Sequence, residues 1–510
     1  VTPTRRRIKN VVSQMGSQLV TWCVTLLFTA ALGRYLGASG LGLLFLGLTY
    51  AAFFGVLPLY GLQNLVTREV ARAPETAGRY LVSGMAVTAA LWLFSFVAIQ
   101  VSVQALGYSA LTRQVILIFS LTMAMQAASF LCSAVYRGLE RMGPPAAATV
   151  LERVLNMAIG LFLLWRGAGV IAVAWVMFAG AAANALWQLG GLLPHLRGNL
   201  RPDMVFSRAL VRRSIPFATY WAVWAMYWKV DVILLSKLTD DVVVGWYGAA
   251  YRFFETLLFL PNVIAISVML PLMARLARDS QGAMREAFNK GLSLLLVVGI
   301  PICAALLVLA PAILRFIYGR AEFLEAAPAL RVLAVGVLVL YVNAALSWAL
   351  VSLDMERRIM FVPLAALALN VALNLLFIPL WRHTGAAAAT VITEAIVGVV
   401  YAVMLPRWVF ARGSLRIALR ASCAALGMVA ALLLVGPERL PLPLLTLLGA
   451  AVYGVLAIVF QAVPREDLVL LRGALPRRGG ASVSPATASG EAEDTPGKET
   501  VPALTSARSP

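Results

Sequence analysis

The chain has 510 residues, 61% of them hydrophobic and only 13% charged, with 42 Lys and Arg against 23 Asp and Glu for a formal net charge of +19. A soluble globular chain is about half apolar and a quarter charged, so an ordinary soluble enzyme or binding module is excluded. The positive excess does not point to nucleic acid, because the basic residues collect at the ends of long apolar runs, mostly on alternate ends, as in a polytopic membrane protein.

About fourteen apolar runs are each long enough to cross a hydrocarbon core of roughly 30 Å as a helix. In chain order they fall near 10–36, 41–66, 80–106, 112–136, 144–165, 168–193, 211–237, 243–273, 288–314, 328–353, 359–379, 385–409, 416–436 and 441–463. They lack the two-residue alternation of a membrane β-barrel. Arg5, Arg6, Arg7 and Lys9 precede span 1, and Arg68, Arg72 and Arg79 join spans 2 and 3. Arg197, Arg201, Arg208, Arg212 and Arg213 join spans 6 and 7; Arg275, Arg278, Arg285 and Lys290 join spans 8 and 9; Arg407, Arg412, Arg416 and Arg420 join spans 12 and 13. The intervening connections mostly hold a single Lys or Arg, except the span 9–10 loop with Arg315, Arg320 and Arg331. The positive-inside rule therefore predicts cytoplasmic N- and C-termini in a multi-pass protein, with the basic connections resting on anionic membrane lipids. The first span is too long for a cleavable signal peptide and is not followed by a small-residue cleavage site. The tail from about Gly479 is rich in Ser, Pro, Thr, Ala and Glu and is expected to be disordered. Cys23, Cys132, Cys303 and Cys423 all lie within spans, show no metal-ligand spacing and read as small packing residues.

Two stretches match at an offset of 216 residues: GLERMGPP from Gly138 with LLWRGAGVIA from Leu163, and DMERRIMF from Asp354 with PLWRHTGAAA from Pro379. Glu140 falls on Glu356, Arg141 on Arg357, Trp165 on Trp381 and Arg166 on Arg382, and a looser match pairs Gly40 with Gly245. Six spans separate the copies, so both have one orientation and are related by an axis along the membrane normal. The predicted fold is an all-α polytopic membrane protein with two six-helix lobes and two appended helices. The lobes are residues 1–200 and 201–412, followed by spans 13–14 in 413–464 and a cytoplasmic tail over 465–510. Substrate sites in such folds lie between the lobes.

Several segments resemble the polysaccharide-export branch of the multidrug/oligosaccharidyl-lipid/polysaccharide (MOP) flippase superfamily. They are GRYLGASGLG (Gly33–Gly42), GLQNLVTRE (Gly61–Glu69), YRGLERMG (Tyr136–Gly143) and SIPFATYWAVWAMYWKVDVILLSKL (Ser214–Leu238) with VGWYGAAYRFFE (Val244–Glu255). APALRVLAV (Ala327–Val335), NVALNLLFIPLW (Asn370–Trp381) and GAAAATVITE (Gly385–Glu394) complete a resemblance that covers spans 1 to 12. It implies a flippase for undecaprenyl-pyrophosphate-linked oligosaccharides, as O-antigen or exopolysaccharide repeat units, in the bacterial inner membrane. Polymerase and other polysaccharide-assembly proteins are the implied partners. The alternative readings are a lipid II flippase or a cation-coupled multidrug antiporter of the same superfamily.

Such a substrate asks for fixed positive charge at its pyrophosphate and aromatic or hydrogen-bonding groups at its sugars. Arg153, Lys229 and Arg252 lie deepest in the spans, and Arg153 either snorkels to the surface or receives the pyrophosphate on the cytoplasmic side. Spans 7 and 8 form a hairpin near Asp241, which sets Asp231 level with Arg252 and Lys229 level with Glu255; ion pairs Asp231–Arg252 and Lys229–Glu255 are expected. Either the pairs only fix the hairpin register, or pyrophosphate competes for the cations and frees a carboxylate for H+ or Na+ coupling. Tyr220, Trp224, Tyr227 and Asp231 share one face of span 7, as a sugar-stacking stripe or as packing. Gln14, Gln18, Thr21 and Thr25 form a polar stripe on span 1, lining the path or bonding helices together. Glu394 stands without a basic neighbour and is either a candidate protonation site or a neutral, hydrogen-bonded structural residue. Glu140–Arg141 and Glu356–Arg357 are candidate cytoplasmic gates or surface pairs. His195 and His383 fall on opposite faces and make no metal site. The connections outside the cytoplasm are short and carry no acid–base constellation, and no G-x-x-x-x-G-K-[ST] loop occurs, so the reading is a transporter with no cofactor and no catalytic residues.

Overall fold

The computed structural model describes residues 3–60, 62–195, 203–258, 280–436 and 438–462, with a few single positions between 259 and 279. Within these, the side chains of residues 3–20, 22–23, 60, 195, 213–218, 220 and 412 are not described. The expected tail, the second half of span 8 and the side chains of Gln14, Gln18 and Tyr220 thus lie outside the described residues. The described residues belong to one compact unit, 1–463.

The elements are helices α1 (Pro3–Phe54), α2 (Val56–Tyr60), α3 (Gln63–Arg72), α4 (Ala77–Ala105), α5 (Ala110–Gly138), α6 (Gly143–Trp165), α7 (Val170–Leu192), α8 (Met204–Leu238) and α9 (Asp241–Leu257). They continue with α10 (Gln281–Tyr318), α11 (Ala327–Ser352), α12 (Glu356–Ile359), α13 (Val362–Met404), α14 (Arg412–Val435) and α15 (Leu442–Val459), joined by short 3₁₀ turns. Ten stretches are long and apolar enough to span a membrane. Two of these are double: α1 breaks at Gly37 (φ 72) and α13 at Trp381–Arg382 (Arg382 φ 49), so each crosses twice. With α8 and α9, which carry Lys229, Asp231, Arg252 and Glu255, the described helices match the expected fourteen. Span 2 stops at Tyr60, earlier than its hydropathy suggests. The residues after it form α3, a separate amphipathic helix that buries Leu65, Val66 and Val70 and exposes Arg68 and Arg72.

The helices α1, α4, α5, α6 and α7 pack into one lobe, and α8, α9, α10, α11 and α13 into the other; α14 lies on α10 and α15 on α14. The lobes meet most closely where the second half of α1 crosses α9. A methyl at Gly42 would overlap the Asp241 carbonyl, and one at Gly245 would overlap the Ala38 carbonyl. The contact is reciprocal, each glycine meeting the carbonyl four residues before the other, which is the signature of a pseudo-two-fold axis through the crossing. Small residues permit such close backbone approach in a membrane. The counterpart of Gly245 is therefore Gly42, not Gly40 as the sequence match suggested.

The duplication is corrected in a second place. Glu140 and Asp354 share a left-handed backbone (φ 55 and 57). The Arg141 amide donates to the Tyr136 carbonyl as the Met355 amide does to Leu350, so both close Schellman turns. The structural partner of Glu140 is Asp354 rather than Glu356, because turn geometry sets the register and a shared Glu-Arg pair does not.

At the rim beside the glycine crossing, Arg34 donates to the Phe316 and Ile317 carbonyls at 2.6 and 2.8 Å, capping the end of α10. Arg320 returns the arrangement, donating to the Arg34 and Tyr35 carbonyls at 2.8 and 3.2 Å, and Glu322 accepts from the Ala38 amide at 3.2 Å. Cations thus sit at helix C-termini and the carboxylate at a helix N-terminus, each where the helix dipole favours it. On the basic face the lobes touch again. Arg79 of α4 pairs with Asp203, the N-cap of α8, at 2.7 Å and covers the Phe206 ring at 4.1 Å. The Phe206 amide and the Arg79 guanidinium hold the Asp203 carboxyl below its ordinary value, so it stays ionised.

We expect Gly245→Val to hold the lobes apart at the crossing. A disulfide between cysteines placed at 38 and 322 in a Cys-free background should form readily, and at least fivefold less with Gly245→Val; equal yields would show that the close approach is not required.

Candidate functional site: a charged cavity between the lobes

A cavity of about 290 Å³ lies between the lobes, on the basic-face side of the glycine crossing. The broken helix α1 supplies Thr25, Phe28, Thr29, Phe45 and Thr49; α5 supplies Gln126; α6 supplies Glu152, Arg153 and Asn156; and α8 and α9 supply Lys229, Arg252 and Glu255. Helical periodicity explains the last three. On α8, Lys229 stands about half a turn away from the face of Tyr227 and Asp231, so it points at the first lobe. On α9, Gly245, Gly248, Arg252 and Glu255 recur at three- and four-residue spacing along the face that meets α1.

Glu255 is shared. Its Oε1 accepts from Lys229 Nζ at 2.6 Å, and its Oε2 lies 3.5 Å from Arg252. Lys229 also faces the Phe45 and Tyr251 rings, at 5.8 and 5.2 Å from their centroids, so its charge is held by π faces as well as by the carboxylate. Side-chain exposures of 17%, 27% and 33% for Lys229, Glu255 and Arg252 show the triad opening into the cavity rather than sealed in the core. Across the cavity Glu152 accepts from Asn184 at 2.6 Å, Gln188 donates to Asn184 at 2.6 Å, and Ser133 donates to Gln188 at 2.8 Å. This chain of neutral donors fixes Glu152 without neutralising it. Arg153 next to it has no carboxylate within reach among the described residues, and its buried Nε has no hydrogen-bond partner. Three cations and two carboxylates thus face one space, with a net positive charge.

The expected Lys229–Glu255 pair is formed; the expected Asp231–Arg252 pair is not. Asp231 is 2% exposed and accepts from the Tyr247 hydroxyl and the Val232 amide inside the second lobe. Equal depth on a hairpin brought the two residues level, but their helix faces diverge, and Arg252 turns to Glu255 instead. Of the aromatic stripe, Trp224 and Tyr227 do not line this cavity. Tyr227 donates to Glu394 at 2.6 Å, within the second lobe. Trp224 packs edge-on against Trp221 and tilted against Trp228, with centroids 5.5 and 5.4 Å away, in a ladder that runs on to Phe254. Glu394 is buried, with Asn343 as a second donor at 2.8 Å. On span 1, Thr25 lines the cavity while the Gln14 and Gln18 side chains are not described. Glu140, Arg141, Glu356 and Arg357 are exposed at basic-face turns, and Glu356 and Arg357 make no ion pair among the described residues. His383 is buried in the α13 break rather than in an open loop, with Nε2 2.7 Å from the Glu325 carbonyl. The Ser133–Gln188–Asn184 chain went unread in the sequence. The i,i+4 pair Asn184 and Gln188 in an otherwise apolar span was its signal.

The family described as "Polysaccharide biosynthesis protein" matches residues 8–277, more than half of the chain, and the MatE family matches residues 217–376. "Probable low-salt glycan biosynthesis flippase Agl15" of Haloferax volcanii is 22% identical over 383 residues, 74% of this chain and 78% of that protein. "Probable flippase AglR" of the same organism is 23% identical over 411 residues, 77% of this chain and 82% of that protein. The solved structure of lipid II flippase MurJ in an inward closed conformation matches with a TM-score of 0.70 over 91% of this chain and 100% of that one, at 17% identity. An inward-facing multidrug resistance MATE family transporter of the MOP superfamily matches with a TM-score of 0.61 over 82% and 96% of the two chains, at 13% identity. The fold is that of the MOP superfamily.

The two sides of the cavity should respond differently to substitution. Glu255→Ala leaves two cations uncompensated and should cost about 1–3 kcal/mol, below the usual cost of breaking a buried pair because the triad is partly hydrated. Arg153→Gln removes a charge that has no partner among the described residues and should be neutral or stabilising. Thermal unfolding of the purified variants in detergent checks both; a large loss with Arg153→Gln would mean that Arg153 is held by a further bond.

Proposed function

The chain belongs to the polysaccharide biosynthesis protein family, and on that premise we propose that it is a flippase for undecaprenyl-pyrophosphate-linked oligosaccharides, the repeat units of O-antigen or exopolysaccharide. The observation that carries this reading is the cavity between the lobes, where Arg153, Lys229 and Arg252 outnumber Glu152 and Glu255. Guanidinium and ammonium groups over a partly hydrated space suit a pyrophosphate. Pyrophosphate takes Arg252 and Lys229 in competition with Glu255 and meets Arg153 on the other wall. Sugars bond to the threonines and Gln126, and the prenyl tail stays in lipid.

The cavity volume of about 290 Å³ is at the small end even for a drug-sized ligand, roughly 300–1,000 Å³, so loading requires the lobes to part. Parting alternately at the basic face and at the glycine crossing is alternating access. The moving bodies are residues 1–200 and 201–412, with 413–464 carried on the second. On this reading the basic connections face the cytoplasm of a bacterial inner membrane, with both termini on the same side; the positive-inside rule supports that orientation. Coupling to H+ or Na+ falls to Asp231 and Glu394, buried carboxylates held by the neutral donors Tyr247, Tyr227 and Asn343.

In proteoliposomes a labelled lipid-linked repeat unit should move between leaflets chemically unchanged. Arg252→Ala and Lys229→Ala should each slow it at least tenfold. A product with new glycosidic bonds or a cleaved pyrophosphate would make the protein an enzyme, and faster movement of lipid II than of the repeat unit would overturn the assigned substrate. Asp231→Asn should leave gradient-free exchange in place and abolish its acceleration by an ion gradient.

A further inference from the structure

A second charged recess lies on the basic face, away from the cavity. The α11–α13 connection and the turn after α13 border an open recess of about 670 Å³ lined by Arg357, Arg358 and Arg407, with Asp354 as the one carboxylate among its lining residues. Among the described residues none of the three guanidinium groups has a carboxylate within 4.0 Å or any side-chain hydrogen bond. This sets them apart from Arg79, Arg315 and Arg320, which have both. Three fixed positive charges gathered from two connections repel one another and bring fifteen unused donors to one opening. Backbone geometry holds them there: the Schellman turn at Asp354 aims α12, and Leu405, buried beneath, anchors the second turn.

The surroundings name the class of ligand. The two halves of α13 meet through Val362, Ala366 and Val397, and on the outside of that pair Phe361, Val399 and Val403 are 65%, 62% and 79% exposed. An apolar, lipid-facing wall therefore runs directly from an arginine-lined recess. Phosphate above and hydrocarbon below is the amphipathic order of a membrane phospholipid, and arginine forks match phosphate oxygens bidentately. From this juxtaposition we infer that Arg357, Arg358 and Arg407 form a binding site for the headgroup phosphate of an anionic phospholipid of the basic-face leaflet. Its acyl chains lie along Phe361, Val399 and Val403. The bound lipid bridges the connection before α13 to the turn after it, and so ties together both ends of a helix pair in the second lobe.

The test is lipid retention by the full chain, a readout that does not depend on transport. Purified protein is exchanged into detergent with equal phosphatidylglycerol and phosphatidylcholine and examined by native mass spectrometry. The wild type should retain phosphatidylglycerol preferentially. The triple variant R357Q/R358Q/R407Q should bind it about tenfold more weakly, with phosphatidylcholine retention unchanged. The variant R72Q/R208Q/R285Q removes the same charge from the same face outside the recess and should stay within twofold of wild type. If the triple variant does not fold, Arg407→Gln alone should weaken retention about threefold. Equal retention by wild type and the recess variant, or an equal loss in the control variant, would overturn the site in favour of diffuse surface charge. Displacement of phosphatidylglycerol by an equimolar undecaprenyl-pyrophosphate oligosaccharide would also overturn it, by assigning the recess to the transported lipid.

Discussion

Two backbone carbonyls, those of Ala38 and Asp241, govern how the lobes meet, because neither leaves room for a Cβ on the helix opposite. Once Gly42 and Gly245 have let α1 and α9 cross, helical periodicity dictates which residues of α9 come next to the first lobe. Gly248 reaches the Phe45 ring, and Arg252 and Glu255 lie farther along the same face. At about 1.5 Å of rise per residue, Arg252 stands roughly 10 Å from the crossing. The charges of α9 therefore have to face the first lobe at a fixed depth. The cavity and the seam that closes it are two stretches of one helix face.

The acidic residues fall into two populations. Glu152 and Glu255 lie in the cavity near cations, and Glu255 serves two of them. Asp231 and Glu394 lie inside the second lobe with only neutral donors around them. The first kind suits exchange, since an arriving anion replaces a carboxylate that cations already hold. The second kind suits protonation or cation uptake, since each is buried and takes its hydrogen bonds from neutral donors alone. Helix α8 connects the two populations, with Lys229 on one face and Tyr227 and Asp231 on the opposite one. In the proposed transport cycle a tilt of this single helix moves both together, which is how events in the cavity reach carboxylates that do not line it.

Much of this was legible in the sequence. Apolar run length gave the spans, and the even number of spans between the copies gave their parallel relation. The deep basic residues Arg153, Lys229 and Arg252 reach the cavity, and hairpin arithmetic found Lys229–Glu255. That arithmetic fixed depth but not azimuth, so it also paired Asp231 with Arg252, whose helix faces diverge. The wheel of α8 held the correction: a residue two positions from Asp231 lies on the far side of the helix, and Lys229 and the aromatic stripe cannot line one path. Register within the duplication was less legible still. Identical residues drew Glu140 to Glu356, whereas the repeated object is a backbone turn that Glu140 and Asp354 occupy.

The one exception to the charge rule, the basic loop after α10, has a structural resolution. Arg331 donates to the Leu307 carbonyl at 3.1 Å, an acceptor left free because Pro311 has no amide hydrogen to offer it. Arg315 pairs with Glu438, and Arg320 caps the first half of α1. These arginines are occupied by carbonyls and a carboxylate at the rim, so their presence reflects capping rather than orientation. Their exposure also settles which contact holds the lobes together. Arg320 and Glu322 are 44% and 37% exposed, and exposed pairs of this kind contribute at most about 1 kcal/mol, since water replaces each bond as it breaks. The glycine crossing has no such replacement, because parting it strips van der Waals contact from backbone packed against backbone. The rim arginines therefore set the alignment of the closing lobes, and the glycines set the strength of the closure.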